Sequence, residues 1–151
     1  MSNLERAIEI AVEAHLGDVD KAGDPYILHP LTVMLRFRDP DARIVAVLHD
    51  TVEDSDLTLD GLKEEGFSDA ILSAVDALTR RDGESYEAFI SRLSSNPLAR
   101  RVKLTDLEHN MDLRRIESPT LEDLERIARY QRWWVELGGR DAIQETTPQV
   151  L

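Results

Sequence analysis

Residues 44–54 of this chain read IVAVLHDTVED, an apolar run that ends in a cluster of polar side chains. On a helix each residue advances about 100°, so Asp50, Glu53 and Asp54 all lie within about 140° of His49. An imidazole beside a carboxylate can bind a divalent ion, and two carboxylates one turn later can handle water bound to it. The alternative is a solvated acidic helix end, which the long apolar run before it disfavours.

One ion needs more ligands than a single His-Asp pair, and two other segments offer them. His29 stands in PYILHP, residues 25–30, at the entrance to an apolar helix, and Asp106 stands in KLTDLEHN, residues 103–110. Alone, the first is typical of a helix-start histidine and the second of a surface charge, so their combination with the His-Asp pair is what indicates a site. The chain has no cysteine, so any transition metal must be bound by His, Asp and Glu.

Length and charge restrict the class of protein. The 151 residues fit one domain, and a net charge of −12 argues against a nucleic-acid polymer as partner. A small anionic ligand stays compatible, because a metal ion can supply the local positive charge. No apolar run approaches the roughly 20 residues of a membrane span, and residues 1–13 contain no signal-peptide core, so we expect a soluble, cytoplasmic protein without a membrane partner.

Helical periodicity dominates the chain, and alternating strand patterns are poor, so we predict an all-α protein. The central helix should be the third, because it is apolar on most sides. Spacing and capping residues predict helices at about 4–16, 30–38, 41–53, 59–65, 71–78, 86–95, 98–116 and 121–137. We expect one domain over 1–144 and a frayed tail over 145–151.

Four blocks in order carry a family resemblance: AHLG at 14–17, KAGDPYILHP at 21–30, HDTVED at 49–54 and VKLTDLEHNM at 102–111. They resemble the hydrolase domain of the RelA/SpoT alarmone enzymes, within the HD phosphohydrolase superfamily, and still more their stand-alone relatives, the small alarmone hydrolases. The likeness covers about residues 4–137, and the chain is too short to hold a synthetase domain as well. The resemblance implies a single-domain, HD-type helical bundle.

For the site, the resemblance implies one divalent ion per chain, usually Mn²⁺, and a small anionic nucleotide as substrate. The family reaction releases pyrophosphate from the 3′ position of guanosine polyphosphates such as ppGpp. A homodimer is left open, and His15 is expected to be structural rather than a ligand. The implied residues are His29, His49, Asp50 and Asp106 for the metal, Glu53 and Asp54 for catalysis, and Lys21, Tyr26, Lys103 and Asn110 for the substrate.

The chain departs from the family around the nucleotide. Asp20 and Ala22 stand where the family has Arg and Ser, and Leu107 and Asp112 stand where it has Arg. These are either neutral changes in a ppGpp hydrolase or signs of a different phosphorylated substrate. In the second case the basic pairs at 80–81, 100–101 and 114–115 are alternative sources of charge.

A third possibility is a catalytically silent HD domain that binds a nucleotide or a protein. Glu53 and Asp54 argue against it, because a binding module has no need of a water-handling pair.

Overall fold

The computed structural model describes residues 2–146, with side chains through residue 142, and its regular elements are helical. An isolated bridge between Val19 and Pro25 is the extended pairing among these residues, so the predicted all-α class is confirmed. The helices are α1 (Leu4–Ala14), α2 (Leu28–Leu35), α3 (Pro40–Leu48), α4 (Thr51–Asp54), α5 (Leu59–Glu64), α6 (Asp69–Leu78), α7 (Tyr86–Leu93), α8 (Pro97–Asn110), α9 (Leu121–Glu136) and α10 (Gly139–Thr146).

Most helix starts are encoded by a capping side chain. Thr58, Ser68 and Ser85 each accept a hydrogen bond from a backbone N–H in the first turn of the helix that follows. Thr120 and Asp123 form a reciprocal capping box at the start of α9. Such caps satisfy N–H groups that have no partner inside the helix, which explains why the starts predicted at these four caps lie within two residues of the observed ones.

The core is built around α3. Its residues 44–48 are all buried, as expected for the central helix, and α1, α2, α6 and α8 pack against it. A helix buried on every side cannot move without disturbing its neighbours. Side chains at its carboxyl end are therefore held in a fixed position relative to α2 and α8.

The predicted helix over 41–53 is wrong in one respect, because it breaks at His49 and Asp50. The His49 ring bonds the carbonyl of Ala46, and the hydroxyl of Thr51 bonds the carbonyl of Leu48. Side chains that take backbone carbonyls compete with the helical ladder. The chain therefore turns after α3 and starts again as α4.

Other boundaries also differ from prediction. The helix expected over 98–116 ends at Asn110, because the Asp112 side chain caps a separate 3₁₀ turn at Leu113–Arg115. The helix expected over 30–38 runs from Leu28 to Leu35. α10 had no counterpart among the predicted helices, and of the expected tail over 145–151, residues 147–151 lie outside the described part of the chain. No helix within the described residues is long and apolar enough to cross a membrane.

Candidate metal centre

Four side chains meet where α2, the end of α3 and α8 converge. His29 comes from α2, His49 and Asp50 from the turn after α3, and Asp106 from α8. One potential ligand atom from each lies within 4.8 Å of all the others. Both histidines and Asp106 are at most 3% exposed. Buried charges of this kind need a partner or a metal ion.

The two imidazole rings present the same atom to this cluster. His49 uses Nδ1 on the Ala46 carbonyl at 2.5 Å, which leaves Nε2 at 3.0 Å from Asp50 Oδ2 and 3.3 Å from Asp106 Oδ1. His29 Nε2 lies 2.8 Å from the same Asp106 oxygen. A hydrogen bond at one ring nitrogen fixes the orientation of the other, which is the usual arrangement around a metal-bound histidine.

Both carboxylates also accept hydrogen bonds from neighbouring side chains. The Tyr26 hydroxyl donates to Asp50 Oδ2 at 2.5 Å, and the Lys103 ammonium donates to Asp106 Oδ2 at 2.9 Å. Asn110 donates to Asp106 Oδ1 at 3.2 Å. Burial raises the pKa of Tyr26, and the Asp50 carboxylate raises it further, so the hydroxyl keeps the proton that it donates.

The spacing fits a divalent ion. Ligand atoms at about 2.1 Å from an octahedral ion lie about 3.0 Å from their neighbours. The closest Nε2–oxygen distances of the cluster, 2.8 to 3.3 Å, are of this size.

The electrostatics of the cluster also favours a bound cation. Burial alone would lower the pKa of His49, yet the carboxylates of Asp50 and Asp106 outweigh it and raise this pKa well above its ordinary value. The two carboxylates thus favour a positive charge at the centre of the cluster, which a divalent cation would supply.

His109 is a member of this environment to which the sequence assigned no role. Its Nδ1 lies 2.7 Å from Nδ1 of His29, and the two rings stack at 5.0 Å. Burial and the neighbouring Arg115 lower the pKa of His109 to about 4, so the ring is neutral and can accept the proton of His29 Nδ1. Its position one turn after Asp106 on α8 was the available signal.

Glu53 and Asp54 lie on α4, beside the cluster rather than inside it. Glu53 accepts the backbone N–H of Arg80, in the loop between α6 and α7. Partial burial raises the pKa of Asp54 to about 6, with further contributions from the carboxylates of Asp50 and Glu53. A carboxyl group with this pKa can exchange a proton near neutral pH.

A pocket of about 400 Å³ opens beside the cluster and shares His29 with it. Three of the predicted substrate contacts line it, namely Lys21, Tyr26 and Asn110, whereas Lys103 lies outside its lining and faces Asp106. The remaining lining residues are Val19, Asp20, Ala22, Asp112, Arg115, Ile116, Arg126 and Tyr130. The pocket therefore combines apolar and aromatic surface with a few charged groups, as small-molecule sites do.

The family departures separate into two groups. Asp20, Ala22 and Asp112 line the pocket, as the sequence comparison expected. Leu107 does not, because its side chain is fully buried in the hydrophobic core. The expectation that position 107 removes an anion contact from the pocket is therefore wrong.

His15 packs next to the cluster without joining it. The ring is 2% exposed, lies 4.8 Å from the ring of Tyr26, and has no hydrogen-bond partner among the described residues. Burial lowers the pKa of His15, so the ring is neutral. This placement agrees with the structural role expected for it.

No family model matches this chain, but several curated proteins are similar to it in sequence. It is 35% identical over 132 residues to a probable GTP pyrophosphokinase of Mycobacterium leprae, covering 79% of this chain and 17% of that protein. It is 33% identical over 120 residues to the guanosine-3′,5′-bis(diphosphate) 3′-pyrophosphohydrolase of Aquifex aeolicus, covering 72% of this chain and 17% of that protein. The chain thus spans about a sixth of the length of these curated relatives.

The fold is also found among solved structures. The structure of a metazoan ortholog of SpoT, described as hydrolysing ppGpp, matches with a TM-score of 0.70 at 20% identity. The match covers 91% of this chain and 85% of that one. At this level of identity the similarity establishes a common fold.

Proposed function

Because this chain belongs to the RelA/SpoT-like hydrolase domains of the HD type, we propose that it is a metal-dependent phosphohydrolase that releases pyrophosphate from the 3′ position of ppGpp. Curated relatives from three bacteria bear the name of this activity at 30–33% identity. The observation that carries the proposal is the largely buried cluster of two imidazoles and two carboxylates, with one ligand atom of each within 4.8 Å of the others. The nucleotide pocket that shares His29 supports it further.

His29, His49, Asp50 and Asp106 would hold one divalent ion. When bound, such an ion polarises a phosphoryl oxygen and lowers the pKa of a coordinated water. Nitrogen and oxygen donors without sulfur are compatible with Mn²⁺, which we propose as the ion.

The chain's own residues keep these donors in place before substrate arrives. Tyr26 donates to Asp50 Oδ2, the oxygen that also faces His49 Nε2. Lys103 holds Oδ2 of Asp106, whose Oδ1 faces the two imidazoles. The Ala46 carbonyl fixes the His49 ring in the same sense. Fixed dipoles and charges cost little reorganisation during the reaction. Lys103 therefore acts on Asp106 in this proposal, rather than on the nucleotide.

Glu53 and Asp54 would handle the attacking water. Asp54 takes the proton of the water on its carboxylate, for which a pKa raised to about 6 makes it a better base than an ordinary aspartate. Glu53 is fixed by the Arg80 backbone N–H and would help to orient this water. The water oxygen bonds to the phosphorus attached to the 3′ oxygen, the bond between that phosphorus and the 3′ oxygen breaks, and the 3′ oxygen takes up the proton that Asp54 has accepted. Pyrophosphate then departs, and the nucleoside diphosphate stays in the pocket lined by Tyr26 and Asn110.

A second candidate is an HD phosphohydrolase that acts on another phosphorylated metabolite. Asp20, Ala22 and Asp112 favour it, because they line the pocket where the family carries Arg and Ser. A pocket with fewer cationic groups would bind a nucleotide with two diphosphates less tightly. A poorer or broader fit to ppGpp is expected on either view.

The test is the identity of the products. Purified protein with Mn²⁺ should convert ppGpp to GDP and pyrophosphate, as followed by ³¹P NMR, and excess chelator should stop the reaction. Glu53→Gln and Asp54→Asn should retain the ion and lose turnover by about 100- to 10,000-fold, the usual cost of a missing general acid–base group. Glu87→Gln, on an exposed face of α7, is the matched control and should leave turnover unchanged.

Hydrolysis of another phosphate ester with ppGpp untouched would replace the first candidate with the second. An ion-bound protein that hydrolyses neither would be a binding module.

A further inference from the structure

Among the positions where this chain differs from the family, Asp20 should repel an anionic ligand most strongly. Both oxygens of its carboxylate, however, already have partners within the chain. Oδ1 accepts the backbone N–H of Ala22 at 2.9 Å and of Asp24 at 3.0 Å. Oδ2 faces Arg115 Nη2 at 3.4 Å, and the Asp20 side chain is 14% exposed. Asp20 therefore closes its own loop and places a carboxylate against one arginine of the pocket wall.

Arg115 is held at the pocket by further acceptors. Nη1 donates to the carbonyl of His109 at 3.1 Å and approaches the side-chain oxygen of Asn110 at 3.5 Å. A guanidinium has five N–H donors, so two remain without a partner among the described residues. A planar cation that is fixed on one edge and free on the other is suited to phosphate oxygens.

The adjacent Arg114 provides a contrast on the same 3₁₀ turn. Its side chain is 87% exposed and forms two hydrogen bonds with Asp112, at 2.8 Å each. Arg114 does not line the pocket, whereas Arg115 does. Two neighbouring arginines thus differ in position and not in charge.

We propose that Arg115, anchored by Asp20 and the end of α8, binds phosphate oxygens of the nucleotide from the wall of the pocket. This proposal rests on the proposed function only in taking a phosphorylated nucleotide as ligand. The pocket lining contains two carboxylates, those of Asp20 and Asp112. An Asp20–Arg115 pair has little net charge, so recognition depends on directed N–H donors more than on long-range attraction.

The experiment measures binding rather than turnover. Protein loaded with one equivalent of Mn²⁺ and freed of excess ion is dialysed to equilibrium against radiolabelled GDP and, separately, against radiolabelled pyrophosphate. Arg115→Gln should weaken one of the two by about 10- to 100-fold, the usual effect of losing charge-assisted hydrogen bonds. A weaker affinity for GDP would place the Arg115 contact at the 5′-diphosphate of the nucleotide. A weaker affinity for pyrophosphate would place it at the pyrophosphate that is released from the 3′ position.

Two further variants separate position from charge. Arg114→Gln should bind both ligands within about twofold of wild type, because the Arg114 side chain is largely exposed and does not line the pocket. Arg115→Lys keeps the charge without the planar fork and should fall between wild type and Arg115→Gln. Thermal unfolding of each variant verifies that the pocket is still folded.

The proposal is overturned if Arg115→Gln binds both ligands as wild type does, if Arg114→Gln loses as much affinity, or if wild type binds neither ligand. Hydrolysis of ppGpp is scored separately. A protein that fails to cleave ppGpp while Arg115→Gln weakens GDP binding contradicts the proposed function and supports the phosphate contact.

Discussion

At the scale of single residues, side-chain chemistry together with the family resemblance predicted which side chains meet. His29, His49, Asp50 and Asp106 come from three separate segments, and the structure brings them into one buried cluster. Leu107 was misjudged because a one-residue step on a helix turns about 100°, which carries the side chain from the Asp106 face into the core. The contact of His109 with His29 was not predictable, because spacing along α8 does not tell which imidazole nitrogen faces which neighbour.

The His29–His109 contact leads to a prediction about ion affinity. His109→Phe keeps a ring stacked on His29 but removes the acceptor for its Nδ1 proton. The affinity for the divalent ion should then fall by about 10- to 100-fold, as is usual when the hydrogen-bond partner of a metal-bound histidine is lost. Competition with a chelator of known affinity measures the change.

Glu108→Gln is the control for this variant, because it lies next to His109, is exposed, and keeps an oxygen that can accept from Trp134 Nε1. An unchanged ion affinity in His109→Phe would show that His29 needs no such partner.

At the scale of the elements, capping side chains and apolar spacing predicted most helices. The residues at which some helices begin or end depend instead on tertiary and side-chain contacts, which sequence periodicity does not show. The break after α3 depends on side-chain bonds from His49 and Thr51 to backbone carbonyls. α10 was missed because its start is defined by packing: Gly139 lies directly against the ring of Trp134. A glycine in the sequence indicates where a helix ends, but it does not predict which residues the following segment contacts.

The junction of α9 and α10 should therefore be sensitive to one added methyl group. A Cβ at residue 139 would overlap the indole of Trp134, which is itself buried in the core. Gly139→Ala should lower the free energy of unfolding by about 1–3 kcal/mol, as overpacking does. Denaturant titration followed by circular dichroism measures it.

Gly61→Ala is the matched control, since its Cβ would meet nothing closer than 3.4 Å inside α5. That variant should be neutral or stabilised by up to about 1 kcal/mol, because alanine restricts the unfolded chain and favours a helix. An equal loss of unfolding free energy in both variants would mean that the contact between residue 139 and Trp134 does not cause the destabilisation.

At the scale of the whole molecule, the buried helix α3 organises the fold, and the site forms where its carboxyl end meets α2 and α8. The net charge of −12 spreads over the chain, while the pocket keeps three cations, Lys21, Arg115 and Arg126. The proposed ion would join α2, α3 and α8, which come together only in the folded state. Ion binding should therefore be coupled to folding.

The proposed chemistry depends on the four-residue metal centre, and the number of divalent ions bound per chain tests this centre most directly. Wild type and Glu53→Gln, dialysed after loading with Mn²⁺ and analysed by inductively coupled plasma mass spectrometry, should each retain one ion per chain. Asp50→Ala should retain none, because it removes one of the two carboxylates that favour a cation at the cluster. Full occupancy in Asp50→Ala, or an empty wild type, would contradict the assignment.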